Sequence, residues 1–216
     1  MAFSFSSGLD TLKHFHDQVQ TLRWDDHRYY HQCRINQTLH LVSALSFLLA
    51  YVLVFFDPAA AGLVGWLIGM VSRQSGHLFF EPRGFDLIHQ TTYEHKESIK
   101  VGYNMRRKAV LISVWLALPM ALALDPSLAG LIEPSRSLSG YAHDVGLAWL
   151  ALGASGLAFR TLHLFFLRGP SWGLAWAYKI LTDPMHNVAA YWRSPLALLK
   201  GQRYDPLHQD DHPQRV

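Results

Sequence analysis

The chain of 216 residues is half hydrophobic and only 16% charged, whereas charged residues make up roughly 25% of an average soluble domain. Its single cysteine excludes an internal disulfide bond and a cysteine-rich zinc site. The formal net charge of +3 is small, and we expect no nucleic-acid partner. The first 25 residues carry charged side chains and no apolar core, so we expect no cleavable signal peptide.

The first predicted transmembrane helix covers residues 38–56 and has the sequence TLHLVSALSFLLAYVLVFF. Its length fits a membrane crossing, because a hydrocarbon core about 30 Å thick needs about 20 apolar residues in a helix. Asp57 and Pro58 follow directly. They predict the end of this helix and the start of the next, with Asp57 as the N-cap and Pro58 at the first helical position.

Three further apolar segments predict three more spans, at residues 59–81, 109–124 and 145–167. The second span carries an arginine, a glutamine and a histidine in its last third, so this end should face protein or water rather than lipid. Four such runs leave too few amphipathic helices to cover them in a soluble protein. We therefore predict an all-α fold, an integral membrane four-helix bundle over residues 38–167 with cytoplasmic amphipathic helices.

The segment after the fourth span, residues 168–203, predicts an interfacial tail of three short helices, each started by a proline. Residues 204–216 are polar and predict a solvated C-terminus. Five aromatic side chains of the tail fit anchors on helices that lie flat on the membrane surface: Trp172, Trp176, Tyr178, Tyr191 and Trp192.

Lysine and arginine cluster on one side of these four spans. They are frequent in residues 1–37, in the connection at 82–108 and in the tail, whereas the other side holds Arg136 alone. Positive charge is enriched in cytoplasmic segments. We therefore predict a cytoplasmic N-terminal segment (1–37), a cytoplasmic connection (82–108) and both termini in the cytoplasm.

The histidines favour the same side of the predicted topology. The chain has 13, and all but His143 fall on the cytoplasmic side. His40 opens the first span, His77 closes the second and His163 lies near the close of the fourth. Ionisable side chains at membrane depth are costly and usually functional, so this repeated placement predicts a shared site.

Several of these residues have the chemistry and spacing of metal ligands. Asn36 and His40 are four residues apart, as are His77 and Glu81, so each pair shares a helix face. Imidazole and carboxylate together suit iron, manganese or zinc. His31 and His40 are nine residues apart and can bind one ion only if the helix breaks between them. Asn36, a good N-cap, is the predicted breaking point.

The predicted ligands are His31, His40, His77 and His95, with Asn36 and Glu81 as the predicted catalytic residues. Simpler roles stay open for each of them. His95 could be an ordinary polar residue of an amphipathic helix in the connection, and His163 could bind lipid headgroups. The first three histidines could also be purely structural.

Two short motifs resemble a known family. YHQCRINQTLH contains Tyr-His-x4-Asn-x3-His and runs directly into the first span, and GWLIGMVSRQSGHLFFE ends with Gly-His-x3-Glu at the close of the second. Over about residues 30–86 the chain resembles the small membrane dioxygenases of fungi and bacteria that carry out alpha-oxidation of 2-hydroxy fatty acids. It differs from them where it has His31-Gln32 instead of paired histidines, and in the sequence that follows Glu81.

The resemblance implies an enzyme that uses Fe(II) and O2 to shorten a 2-hydroxy acyl chain by one carbon. It also implies metal ligation by His31, His40 and His77, with Asn36 and Glu81 near them. We therefore expect a membrane-embedded, non-haem iron oxygenase, a dioxygenase that acts on a fatty acid or lipid at the cytoplasmic interface. One of three cations could pair with the carboxylate of a substrate: Arg73, Arg83 or Lys96.

Three other functions stay open. A di-iron desaturase or hydroxylase of the histidine-box type is one, since His27 and His31 resemble a first box, although no His-x2-His-His follows. A haem-binding electron carrier with His40 and His77 as ligands is the second. The third is a non-catalytic lipid-binding membrane protein, which would hold no stoichiometric metal.

Overall fold

The computed structural model describes residues 5–81, 83–86, 89–101, 104–135 and 137–205. Within these ranges the regular structure is helical, apart from two isolated β-bridges, which confirms the all-α prediction. In chain order the elements are α1 (Phe5–Tyr30), α2 (Arg34–Leu53), α3 (Pro58–Leu63), a π-helical segment (Val64–Met70), α4 (Val71–Phe79), α5 (Tyr93–Ile99), α6 (Met105–Leu124), α7 (Leu138–Arg168), α8 (Pro170–Tyr191) and α9 (Ser194–Leu199).

Three of these helices, α2, α6 and α7, are long and apolar enough to cross a membrane. Soluble monomers rarely expose continuous apolar faces, which usually mark a surface covered by lipid or by a partner. The outward faces of the three helices indicate association with a membrane, because they carry exposed large apolar side chains: Leu45, Leu49 and Val52 on α2, Val110 and Val114 on α6, and Phe159 and Leu162 on α7.

The second predicted span forms an unbroken helical run over residues 58–79, but it is not a single α-helix. Asp57 is the N-cap of α3 as predicted, since its Oδ1 accepts a hydrogen bond of 3.0 Å from the backbone N–H of Ala60. The π-helical segment then interrupts the regular α-helical hydrogen bonding. This run is not among the three helices above, so the predicted four-span bundle is not confirmed.

Two glycines bring α3 and α7 into backbone contact. A β-carbon on Gly62 would overlap with the carbonyl oxygen of Gly146, and a β-carbon on Gly146 would overlap with the carbonyl oxygen of Ala59. Small residues are common where helices pack closely in membranes, because the backbones themselves then make van der Waals contacts.

Three tryptophans extend this packing towards α6. The rings of Trp66, Trp115 and Trp149 lie 5.5 to 6.5 Å apart, centroid to centroid. Trp66 Nε1 donates to the carbonyl oxygen of Trp149 at 2.6 Å, and Trp149 Nε1 donates to that of Trp115 at 3.0 Å. The indoles of Trp66 and Trp149 therefore combine a large buried apolar surface with a polar anchor.

The tail differs from the prediction of three short helices. α8 is one helix that continues through Pro184, and the short helix α9 follows it. A proline removes one helical hydrogen bond, but packing against α1, α2 and α7 maintains α8 across this position. Trp176 and Tyr191 are each only 3% exposed, so their prediction as interfacial anchors is wrong. Most of the predicted solvated C-terminus, residues 206–216, lies outside the described residues.

Helix α1 packs along α8 through an apolar seam. Val19 and Leu22 of α1 contact Ala175 and Trp176 of α8 within one buried cluster. Further along, the guanidinium of Arg23 donates to the hydroxyl of Thr182 at 2.7 Å. This packing brings the C-terminal ends of α1 and α8 together beside the first turns of α2 and the end of α4.

Candidate metal centre

The chain bends sharply between α1 and α2. α1 ends at Tyr30, α2 begins at Arg34, and its N-cap Cys33 has an extended conformation, with φ −76° and ψ 125°. The helix break that joint ligation by His31 and His40 requires is therefore present, but the prediction that it occurs at Asn36 is wrong by three residues.

Two amides in the first turn of α2 stabilise this bend. Asn36 Nδ2 donates to the carbonyl oxygen of Tyr30 at 2.7 Å, and Gln37 Nε2 donates to that of His31 at 2.7 Å. Both carbonyls lie at the end of α1, where an intrahelical partner is missing. Asn36 and Gln37 are fully buried, and their amides fix the direction in which His31 leaves α1.

The bend places His31 against His40, and α4 adds His77. The centroids of the His31 and His40 rings lie 4.0 Å apart, and His77 lies 4.9 Å from His40 and 5.3 Å from His31. One ring nitrogen from each residue falls within 4.8 Å of the others. All three are buried, at 3%, 0% and 7% exposure. The structure thus brings together three of the four predicted ligands.

Several nitrogens of this cluster have no hydrogen-bond partner. Nε2 of His31 and both ring nitrogens of His40 are buried and unpartnered. A buried polar atom left unpaired costs about 1–3 kcal/mol, so three such atoms in one place need an explanation. A shared metal ion accounts for two of them, because it would take up one lone pair from His31 and one from His40.

The geometry fits a metal ion. Two imidazole nitrogens that are each about 2.1 Å from one ion lie at most about 4.2 Å apart, so side-chain adjustments of about 1 Å or less suffice. A ligating imidazole must also be neutral. Burial holds the pKa of His31 well below its usual range, so this ring is neutral at pH 7.

His77 is oriented by a carboxylate one helical turn away. Its Nδ1 donates to Oε2 of Glu81 at 2.7 Å, so the lone pair of this neutral ring is on Nε2. Glu81 is itself buried, at 8% exposure, and its Oε1 accepts a bond of 3.1 Å from Lys100 Nζ. Lys108 Nζ lies 3.9 Å from the other oxygen. An imidazole held by a carboxylate is a common arrangement around protein-bound metals.

Other histidines of the predicted cytoplasmic side lie outside the cluster. His95 is exposed on α5, so the structure does not support it as a fourth ligand. His89 Nδ1 lies 2.9 Å from Asp86 Oδ2, and His163 Nδ1 lies 2.9 Å from Arg160 Nη1. Within the described residues the histidine cluster has three members.

The sequence did not reveal the role of Tyr191. Its hydroxyl oxygen lies 3.0 Å from Nδ1 of His31, although the two residues are 160 positions apart in the chain. A buried network beside it was missed as well: Arg73 pairs with Asp183 at 3.3 Å, and Lys179 with the same carboxylate at 2.7 Å. Only the packing of α8 against α2 and α4 brings these groups to the site.

Comparisons of the chain with known protein families, with characterised proteins and with solved structures gave no match. The resemblance to the 2-hydroxy fatty acid dioxygenases therefore stays a prediction from the two motifs.

Proposed function

We propose that the protein is a membrane-embedded, non-haem iron oxygenase that acts on a fatty acid or lipid, with 2-hydroxy fatty acids as the leading substrate class. The supporting observation is the buried cluster of three imidazoles, two of which have unpartnered ring nitrogens. The choice of iron, O2 and this substrate class rests on the two sequence motifs of the resemblance.

In this proposal His31, His40 and His77 hold Fe(II) through one nitrogen each. Three protein ligands leave coordination positions free for small molecules, as in other non-haem iron oxygenases. The ion would bind and activate O2, and the oxidised substrate would supply the electrons that reduce it. Glu81 holds the ring of His77, and Asn36 maintains the bend that places His31.

We further propose that the helical run over 58–79 is a fourth crossing, with both termini in the cytoplasm. Contacts at the metal centre support this arrangement. The ring of His40 in the first turns of α2 lies 4.9 Å from that of His77 near the end of α4. Glu81 in turn lies between His77 and the side chain of Lys108 at the start of α6. These three helix ends therefore share one side. An acyl chain would then extend from the metal centre between the apolar helices.

Arg73 is the best placed of the three predicted carboxylate partners. It precedes His77 by one turn of α4, and its side chain is 19% exposed. Lys96 is engaged 2.9 Å from Asp86, and Arg83 donates to the carbonyl oxygen of Leu78 at 2.7 Å. Asp183 holds Arg73 only at 3.3 Å, so a substrate carboxylate could compete for this guanidinium.

The close packing of the histidines argues against a haem carrier. His40 and His77 would have to lie on opposite faces of one porphyrin, but their centroids are 4.9 Å apart and His31 lies 4.0 Å from His40. No porphyrin fits between rings in such contact. A single group of three histidines within the described residues likewise gives less support to a di-iron site.

The metal is tested by elemental analysis of protein purified in detergent. We expect about one iron per chain in the parent and loss of iron in a His40→Ala, His77→Ala double variant. His95→Ala is the matched control and should retain the metal, since His95 is exposed and lies outside the cluster. Equal metal content in the parent and the double variant would refute the site.

The reaction is tested with 2-hydroxy and unsubstituted fatty acids of equal length. We expect O2 uptake and a product one carbon shorter from the 2-hydroxy acid alone, detected by mass spectrometry. Iron binding without any O2 uptake would refute the oxygenase and leave the metal centre in place.

A further inference from the structure

The hydroxyl group of Tyr191 lies between two imidazoles. It is 3.0 Å from Nδ1 of His31 and 3.2 Å from Nδ1 of His27. Tyr191 is the last residue of α8 and is 3% exposed. A phenol has a single hydrogen to donate. It can therefore donate to only one of the two imidazoles, and at least one imidazole must donate to it.

The environment of His31 decides the direction of these bonds. Nε2 of His31 is buried and has no acceptor, so a proton there would be left unpaired. With the proton on Nδ1 instead, His31 donates to Tyr191, and Nε2 is left with a lone pair for a metal. The hydroxyl of Tyr191 then donates to Nδ1 of His27. This arrangement pairs the Nδ1–H of His31 with Tyr191 and the hydroxyl of Tyr191 with His27.

The line of contacts from His31 through Tyr191 to His27 continues to the surface of the protein. In the arrangement above His27 carries its proton on Nε2, which lies 3.9 Å from Oδ2 of Asp205. The side chains of His27 and Asp205 are 25% and 24% exposed. The line therefore starts at the buried cluster and ends at groups that contact solvent.

The C-terminal arm, residues 192–205, is hydrogen-bonded to the bend between α1 and α2 and to the first turn of α2. The backbone N–H of Asp205 donates to the carbonyl oxygen of Gln32 at 2.9 Å. Its carboxylate accepts from Arg34 at 2.8 Å and from Gln37 at 3.0 Å. Ser194 donates to the side-chain oxygen of Gln37 at 2.6 Å. These contacts fix the positions of Tyr191 and Asp205 relative to His31.

We propose that Tyr191 is a positioning residue of the metal centre, which fixes the ring and the tautomer of His31 and links it through His27 to Asp205. This inference rests on the proposed metal centre and adds a function for the C-terminal arm. Groups that hold the second nitrogen of a ligating histidine raise its basicity, and their loss typically lowers metal affinity about 10- to 100-fold.

The test is a titration of the purified, metal-free full chain with Co²⁺, followed by its visible absorption spectrum. We expect Tyr191→Phe to bind Co²⁺ about 10- to 100-fold more weakly and to shift the absorption bands, because the phenyl ring keeps the packing but removes the hydroxyl. His27→Phe should fall between the parent and Tyr191→Phe, since it keeps a ring against Tyr191 but removes the acceptor.

Tyr178→Phe is the matched control, because Tyr178 is on the same helix and is half exposed. It should bind Co²⁺ as the parent does. Parent-like affinity and spectrum in Tyr191→Phe would refute the role of Tyr191 while the metal centre stands. Failure of the parent itself to bind Co²⁺ would refute the metal centre, and with it this inference.

Discussion

Gly76 lies directly against Asn36, in the turn of α4 that contains His77. A β-carbon on Gly76 would overlap with Oδ1 of Asn36. Asn36 is fully buried and its amide donates to the carbonyl oxygen of Tyr30, so it has little freedom to move away. The spacing of α2 and α4 at the metal centre therefore depends on the absence of a side chain at residue 76.

We expect Gly76→Ala to destabilise the protein by about 1–3 kcal/mol, the usual cost of forcing extra volume into a packed interior. It should also weaken metal binding, since His77 moves away from His40 when the helices separate. Thermal unfolding and metal titration in detergent measure the two effects. Gly84→Ala is the control, because a β-carbon there meets nothing within 4 Å. Equal behaviour of the two variants would contradict the role of Gly76.

Glu81 should control metal affinity through His77. Glu81→Leu removes the acceptor of His77 Nδ1 and also a partner of Lys100, so we expect about a 10- to 100-fold loss of metal affinity. Glu81→Gln keeps an acceptor oxygen and should lose less. Calorimetric titration with Zn²⁺ measures both, and Glu94→Gln on the exposed face of α5 is the control. A Glu81→Leu variant with unchanged affinity would show that Glu81 does not orient the ligand.

Asp86 should make stability depend on pH in the acid range. Burial alone would raise the pKa of Asp86, but hydrogen bonds from Lys96 and His89 lower it to about 2, below its ordinary value of 3.8. The carboxylate therefore contributes stability that is present above about pH 4 and is lost as the pH falls towards 2. We expect Asp86→Asn to be less stable than the parent by about 1 kcal/mol at pH 7, because solvent screens part of the interaction.

Thermal unfolding of the parent and of Asp86→Asn between pH 7 and pH 2 measures this contribution. The two curves should converge at the acid end. Asp10→Asn, at an exposed position of α1, should follow the parent at every pH. A difference between parent and Asp86→Asn that stays constant over the range would contradict the lowered pKa.

The crossing of α3 and α7 should not tolerate a larger residue. Gly62→Val would drive a branched side chain into the backbone of Gly146, and we expect a loss of stability of at least about 1–3 kcal/mol. Tryptophan fluorescence reports it directly, since Trp66 and Trp149 pack beside this crossing. Gly153→Ala is the control, because its β-carbon would meet Trp66 at an ordinary 3.7 Å. Identical unfolding of Gly62→Val and the parent would contradict the close contact.

The proposed four-span topology predicts opposite sides for two engineered cysteines. In a Cys33→Ser background, Phe56→Cys lies in the exposed turn before α3, and Ser98→Cys lies on the exposed face of α5. A membrane-impermeant maleimide should label Phe56→Cys from outside intact cells and Ser98→Cys only after permeabilisation. Labelling of both from the same side would exclude a crossing by residues 58–79.

The parts of the fold that follow from local chemistry could be predicted. The cap at Asp57 and the helical character of residues 58–79 depend on neighbours in sequence, and both are confirmed. The grouping of His40 with His77 was predicted from their placement at the ends of two apolar segments. Joint ligation with His31 required a break before His40, and the sequence indicated that break without fixing its position.

The remaining errors concern contacts between residues far apart in the chain. Pro184 predicts a helix start locally, but α8 continues through it because three neighbouring helices pack against it. Tyr191 has the composition of an interfacial anchor, and only the packing of α8 brings it to His31. His95 was grouped with the ligands because the path of the connection is not encoded in any local spacing.

The π-helical segment between α3 and α4 sets the angle between the directions in which the side chains of these two helices point. Gly62 before it must face α7, whereas Gly76 after it must face α2. Each residue of an α-helix advances the side-chain direction by about 100°, so deleting a single residue between 64 and 70 would swing His77 through roughly a quarter of a turn. The π-helical segment therefore rotates the residues that follow it, so that the run over 58–79 contacts α7 on one side and α2 on another.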